Sequence, residues 1–511
     1  MLFGMCDFRG SSRYRLPRPP LTPSSHLGRS SYDRAACYNR PFVNTPSTPP
    51  PSPSSGEKDS RSLAAKPQHA APLDAVPILD LQRQYEQVRA EVLQAVGRVC
   101  ASQHYVLGPE VEQFERELAD FCGARDAVGC SSGTDALWLA LAAAGVQPGD
   151  RVLTTPFSFF ASASSIVRAG ARPVFADIEP HTFNLDPAKV RELLHSDGQT
   201  KMRALLPVHL YGQCAAMDSF QQLADEFHLT VIEDAAQAIG AAWIDATQID
   251  ATQIGATRID ATQNARRAGS LGAAAAFSFY PTKNLSAYGE AGLVTTSNPE
   301  MAAHMRRLRN HGSSRRYLHE EIGWNSRLDA MQAAILRVKL KYVEGWNQAR
   351  RERAVTYDRL LVEAGLARMT QATTPAPRTG QSAPPAPRTS QSTISNQQST
   401  IGSTIASAPD DFPIHLPHAA PRAHHVFHQY VIRAYRRDDL REFLTARKIG
   451  TEIYYPIPLH LQPCFAYLGH REGDFPEAER AAKEVVALPM FPELTEEEQR
   501  WVVQSIADFY C

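Results

Sequence analysis

Residues 204–237 read ALLPVHLYGQCAAMDSFQQLADEFHLTVIEDAAQ. Ala204–Val208 has the composition of a strand, Met217–Phe227 is an amphipathic helix, and Thr230–Asp234 is a second strand that ends in two acids. The alternation continues upstream. Gly133–Ala144 predicts an apolar helix after a Ser-Ser-Gly turn, Arg151–Thr154 a strand, Ser162–Ala169 a helix and Pro173–Asp177 a strand. Strands alternating with helices predict an α/β fold, a mostly parallel central sheet with helices on both faces. In such sheets ligands gather outside the carboxyl ends of the strands. Pro156–Phe160, His209–Gly212 and Asp234–Gln237 all fall there.

Downstream, Phe277-Ser278-Phe279-Tyr280-Pro281-Thr282-Lys283-Asn284-Leu285 is an apolar strand that delivers a Ser and then a Lys onto a turn. A lysine amine bonds covalently to an aldehyde when its surroundings help it lose a proton. Asp234, at a buried strand end, suits a carboxylate facing a pyridine nitrogen, although an Asp there also serves as a helix N-cap. Ser131-Ser132-Gly133-Thr134 opens a helix, so free backbone N–H groups make an anion site or an ordinary cap. Thr155–Phe160 offers aromatics for stacking on a planar ring or for the core.

Lys and Arg number 53 against 54 Asp and Glu, a balance that recruits neither nucleic acid nor an anionic membrane. The longest apolar stretches, such as Ala136–Val146, are too short to cross a bilayer. The eight cysteines are scattered without a CxxC pair, so no metal site or disulfide framework is expected, and reduced thiols point to the cytoplasm. Residues 1–75 read as a disordered extension, order beginning at Val76, with Tyr85, Val88, Val92, Ala95 and Val96 at helical spacing beyond it. Residues 244–263 repeat a five-residue unit and 371–410 are rich in Gln, Ser, Thr and Pro, so both are expected to be inserts. The rest divides into a large domain, 76–325, and a smaller C-terminal α+β domain, 326–511. In the latter His428–Arg433 predicts a strand, Asp438–Arg447 a helix, Thr451–Tyr455 an extended segment and Pro476–Val486 a helix.

The assembled motifs resemble the DegT/DnrJ family of nucleotide-sugar aminotransferases, within the fold type I (aspartate aminotransferase-like) enzymes that use pyridoxal 5'-phosphate (PLP). Gly108–Val111, Ser132–Leu137, Pro207–Gly212, Glu233–Ala238, Ser278–Leu285 and Asn325–Asp329 carry the resemblance. It implies that Lys283 holds PLP covalently and shuttles the proton as base and acid. It puts Asp234 at the pyridine nitrogen, Gln237 by the ring oxygen, Phe159 on the ring face, and Gly133, Thr134 and Ser278 on the phosphate. It also implies a homodimer in which Asn325 reaches the neighbouring subunit's cofactor phosphate, and it offers Arg327 to an anionic group of donor or substrate. His460 stands either near the substrate or in a structural role.

The implied partners are an amino donor such as glutamate and a dTDP- or UDP-linked keto sugar, in cell-surface polysaccharide or glycoside biosynthesis. Members acting on 4-keto sugars more often carry His after Ser-Phe, where this chain has Tyr280, so a 3-keto sugar is expected. The chain departs from the family at Glu290-Ala291-Gly292, where a glycine pair is usual, and at Ser286, which replaces a common Gly. A PLP-dependent sugar dehydratase and a non-catalytic regulator remain as alternatives on the same fold.

Overall fold

In the computed structural model, which describes residues 75–196, 202–244, 265–369 and 412–511, the alternation forms a seven-stranded sheet. Its strands in chain order are β1 (Asp126–Cys130), β2 (Arg151–Thr154), β3 (Arg172–Phe175), β4 (Met202–Leu206), β5 (Thr230–Asp234), β6 (Ala274–Ser278) and β7 (Gly292–Thr296). They lie in the order β1-β7-β6-β5-β4-β2-β3. Neighbours from β3 through β6 are parallel, and β7 alone runs antiparallel, between β6 and β1.

Successive side chains on a strand point to opposite faces. Val231 of β5 and Ala275 and Phe277 of β6 therefore join one apolar cluster, while Ile232, Ala274 and Ala276 join another. Helices Pro109–Cys122, Met217–Phe227 and Ala330–Leu340 cover the first face. Helices Gly133–Ala143, Ala161–Arg168 and Pro299–Leu308 cover the second. Burial on both faces is why these strands read as apolar runs rather than alternating ones.

The C-terminal part adds an antiparallel sheet of Ile414–His415, Tyr430–Ala434 and Val485–Leu488. The expected helix Pro476–Val486 ends at Glu484, because Val485 and Val486 pair with Arg433 and Ile432. The Thr451–Tyr455 segment makes a single bridge, from Glu452 to Ala487. Leu328, Ala333 and Leu336, just beyond the expected division at 325/326, pack under the central sheet. Helix Val343–Glu363 gives Val343 to that cluster and Ala354, Tyr357, Leu360 and Leu361 to a cluster around the smaller sheet. Val76 belongs to the latter cluster. Its backbone bonds to Lys448 and Gly450 (3.0 and 2.8 Å), beside Ile449.

The expectations for 1–75, 244–263 and 371–410 fall, but for Ala75 and Ile244, outside the described residues. Among the described residues no helix is long and apolar enough to cross a membrane.

Candidate active site

The carboxyl ends of β1, β5 and β6 release the chemistry-bearing residues at one edge of the sheet. At the end of β5 the two acids part. Glu233 is buried on one face, where it accepts from Gly269 N (2.9 Å), Leu271 N (2.8 Å), Gly272 N (2.7 Å) and the His209 ring (3.0 Å). Asp234 turns to the other face. Its Oδ2 accepts from Ser162 Oγ (2.7 Å), which is itself 2.8 Å from Ser158 Oγ, and its Oδ1 accepts from Ala236 N (3.2 Å). Burial raises the Asp234 pKa, against those hydrogen bonds and the charge of Lys283.

Lys283 follows β6 on a tight turn, its N–H donating to Tyr280 O (2.8 Å). Its side chain is desolvated strongly enough to bring its pKa to about 8, while Asp234 pulls the other way. Asn284 anchors the turn, donating to Asn347 Oδ1 (2.8 Å) and meeting His428 Nδ1 (3.1 Å). Burial and the nearby positive charge of Lys283 hold the His428 pKa well below the ordinary range, which keeps the ring neutral.

Helix Gly133–Ala143 starts against the end of β6. A Cβ on Gly133 would lie 2.5 Å from Ser278 Cβ, so only glycine lets the two chains meet. Ser132 caps the helix by accepting from Asp135 N (3.1 Å), and the first N–H groups, those of Gly133 and Thr134, have no acceptor within the helix. Of the departing pair, Ala291 is buried in the core without conflict, whereas a Cβ on Gly292 would sit 2.2 Å from Ser132 O. The close approach thus falls on the glycine that is present.

Gln237 is held on both sides within the protein and keeps one of its two amide N–H groups, among the described residues, for a ligand. Its Oε1 accepts from Tyr211 N (2.6 Å) and its Nε2 donates to Tyr455 Oη (2.9 Å). Phe159 is 57% exposed, its ring 6.2 Å from that of Tyr455, so one face is free for a planar ligand. Asn325 is exposed, and Arg327 donates to Asn310 Oδ1 (3.2 Å). His460 is engaged inside the protein. It is 2% exposed, its Nε2 lies 3.0 Å from Glu479 Oε1 and its ring packs on Phe475. Ser162 and Tyr455 were not singled out from the sequence. Ser162 lies one helical turn after Ser158, a weak signal, and Tyr455 comes from the extended segment after the Glu452–Ala487 bridge, which no local pattern announces.

These residues fit PLP. The set supplies an amine whose pKa is lowered to about 8, a buried carboxylate that makes no ion pair among the described residues, and a helix start with free N–H groups packed on a serine. The sequence matches the DegT/DnrJ/EryC1/StrS aminotransferase family over residues 86–383 and 390–507. The chain belongs to this family. It is a PLP-dependent aminotransferase of fold type I. It is 44% identical, over 85% of its length and 98% of the relative, to a pleiotropic regulatory protein of Geobacillus stearothermophilus. It is 38% identical to the dTDP-3-amino-3,4,6-trideoxy-alpha-D-glucose transaminase of Streptomyces venezuelae, over 85% of this chain and 96% of that one. The crystal structure of S. venezuelae DesV in complex with a ketimine intermediate superposes on this aminotransferase with a TM-score of 0.70 at 38% identity, covering 85% of this chain and 98% of that chain.

Proposed function

We propose that this aminotransferase moves an amino group from an amino acid, glutamate first among the donors, to a nucleotide-linked keto sugar bearing its ketone at C3 rather than C4. The single observation that carries transamination is the placing of Lys283 just beyond β6 and buried Asp234 at the end of the paired strand β5, near enough for each charge to act on the other. A non-catalytic role on this fold would need neither. The 3-amino product of the Streptomyces transaminase supports the sugar and the keto position, as does Tyr280 after Phe279.

PLP, when bound, supplies an electron sink for the charge left when a proton leaves carbon. The chain's own groups do the rest. Lys283 Nζ would hold the cofactor, and once displaced by the donor its amine would take the donor's Cα proton and deliver it to the cofactor's C4′ carbon. Asp234 presents a carboxylate to the ring N–H, and Ser162 holds that carboxylate in place. Gln237 and Tyr455 stand together for the ring oxygen, and Phe159 stacks. Gly133, Thr134 and Ser278 hold the phosphate. Asn325, exposed in the single chain, is offered to a second copy and makes a C2 homodimer part of the site. Arg327 Nε is buried and has no partner among the described residues, which suits an anionic group of donor or sugar nucleotide. The free cysteines Cys100, Cys122, Cys130, Cys214, Cys464 and Cys511 support a reducing, cytoplasmic setting, and polysaccharide or glycoside assembly is the pathway class.

The test is incubation with PLP, glutamate and a panel of dTDP- and UDP-linked 3-keto and 4-keto sugars, read by mass spectrometry. Replacement of the keto oxygen by an amino group in a 3-keto sugar is expected. Amination of the 4-keto sugars alone overturns the keto position, and amination of none overturns the substrate class.

A further inference from the structure

Lys339, on helix Ala330–Leu340, is 1% exposed, and its Nζ donates to Ser286 Oγ at 2.6 Å. Its ammonium sits over the Tyr288 ring (5.0 Å) and near the Trp346 ring (5.9 Å). Among the described residues no carboxylate lies within ion-pair distance of it. Burial brings its pKa to about 7, with only Glu493 pulling the other way. A buried amine without a counter-ion is a costly choice where a methionine of similar volume would pack.

Ser286 stands three residues after Lys283 and is 1% exposed. Asn284 anchors the inner side of this turn through Asn347 and His428. The outer side, with Pro281, Ser286 and Tyr288, borders a cleft of about 530 Å3 against helix Leu81–Ser102, while Leu285 and Ala287 pack into the core. On the cleft side the Lys339–Ser286 bond joins two backbone restraints, Ala287 N to Phe279 O (2.8 Å) and Tyr288 N to Gln332 Oε1 (2.9 Å), and is the side-chain bond that holds Ser286 itself. We propose that Lys339 is a positioning residue for Lys283, acting through the Ser286 hydroxyl to fix the turn that aims the reactive amine at Asp234. The departure from the family's common glycine at Ser286 is then what gives Lys339 its acceptor.

The proposal rests on Lys283 as the PLP-bearing lysine, and the test separates the two. Holoenzymes of wild type, Lys339→Met, Ser286→Ala and the double variant are compared by borohydride trapping with peptide mapping at graded PLP, by kcat and by thermal melting. Lys339→Met is expected to lower kcat and the PLP affinity at Lys283 about tenfold while the melting temperature holds or rises. A lysine kept for stability alone would lose melting temperature instead. Ser286→Ala should reproduce most of that loss, and the double variant should be no worse than Lys339→Met. Unchanged trapping and kcat in Lys339→Met, or losses that multiply in the double variant, overturn the proposal. Should Lys339→Met fail to fold, Ser286→Ala decides: wild-type trapping and kcat there overturn it. A wild-type label away from Lys283 would instead sink the assignment of the cofactor lysine.

Discussion

Glu233 and Asp234 are adjacent in the chain and serve opposite faces of one strand. The first is consumed by three backbone N–H groups and His209, and the second is left for the Lys283 side. Removing each should therefore fail differently. Glu233→Ala strands buried donors and should cost about 3 kcal/mol or more in urea unfolding. Asp234→Asn should lower kcat at least about a hundredfold, roughly 2.7 kcal/mol of barrier.

In the apoprotein Asp234→Asn should also raise stability near neutral pH. A carboxyl whose folded pKa is raised binds more protons folded than unfolded just above the ordinary Asp range. Its contribution is complete at low pH and is lost as pH rises through the folded value. The melting-temperature gain of the Asn variant should therefore vanish in acid.

Lys283 carries the reverse sign. Its pKa falls to about 8, so the unfolded chain binds more protons between that value and the ordinary lysine range, and stability grows as pH climbs through the interval. Only the neutral amine attacks an aldehyde, so covalent PLP capture by apoprotein should rise with pH to a plateau above about 8. Asp234→Asn removes the opposing charge and should shift that midpoint downward. Stopped-flow absorbance checks both.

Gly292→Ala forces a methyl into Ser132 O and Gly133 N, backbone atoms that cannot swing away. Overpacking of this kind costs about 1–3 kcal/mol. Because the displaced atoms open helix Gly133–Ala143, phosphate affinity should fall as well, which inorganic phosphate protection against melting would report.

His460→Ala should behave as a packing lesion. Loss of its bond to buried Glu479 should cost about 1–3 kcal/mol, with kcat per folded molecule nearly unchanged. Burial lowers the His460 pKa, so the wild-type fold should weaken as pH drops below the ordinary histidine range, and the variant should show less of that acid sensitivity. A large fall in kcat at full stability would return His460 to the substrate.

Strands β2 and β5 and helix Met217–Phe227 were legible because their apolar residues meet core on the faces the spacing implied. Strands β1 and β7 were not singled out. DAVGC and GLVTT are short and rich in small residues, and pairing with each other, not local propensity, makes them strands. Val485 and Val486 looked like the end of a helix for the same reason, until Tyr430–Ala434 supplied a partner. Lys283, Asp234 and Ser278 stood out because their chemistry sits at strand ends. Tyr455 and Lys339 did not, since what matters about them is the residue across the gap, Gln237 or Ser286.

Val76 closes a core whose other members include Ile449, Val502 and Ile506. During synthesis that valine leaves the ribosome long before its neighbours exist. The smaller lobe therefore cannot complete its core as the chain emerges; it waits until translation has delivered the last helix. Chaperone contacts during that interval should concentrate on the stretch from Val76 to Leu81.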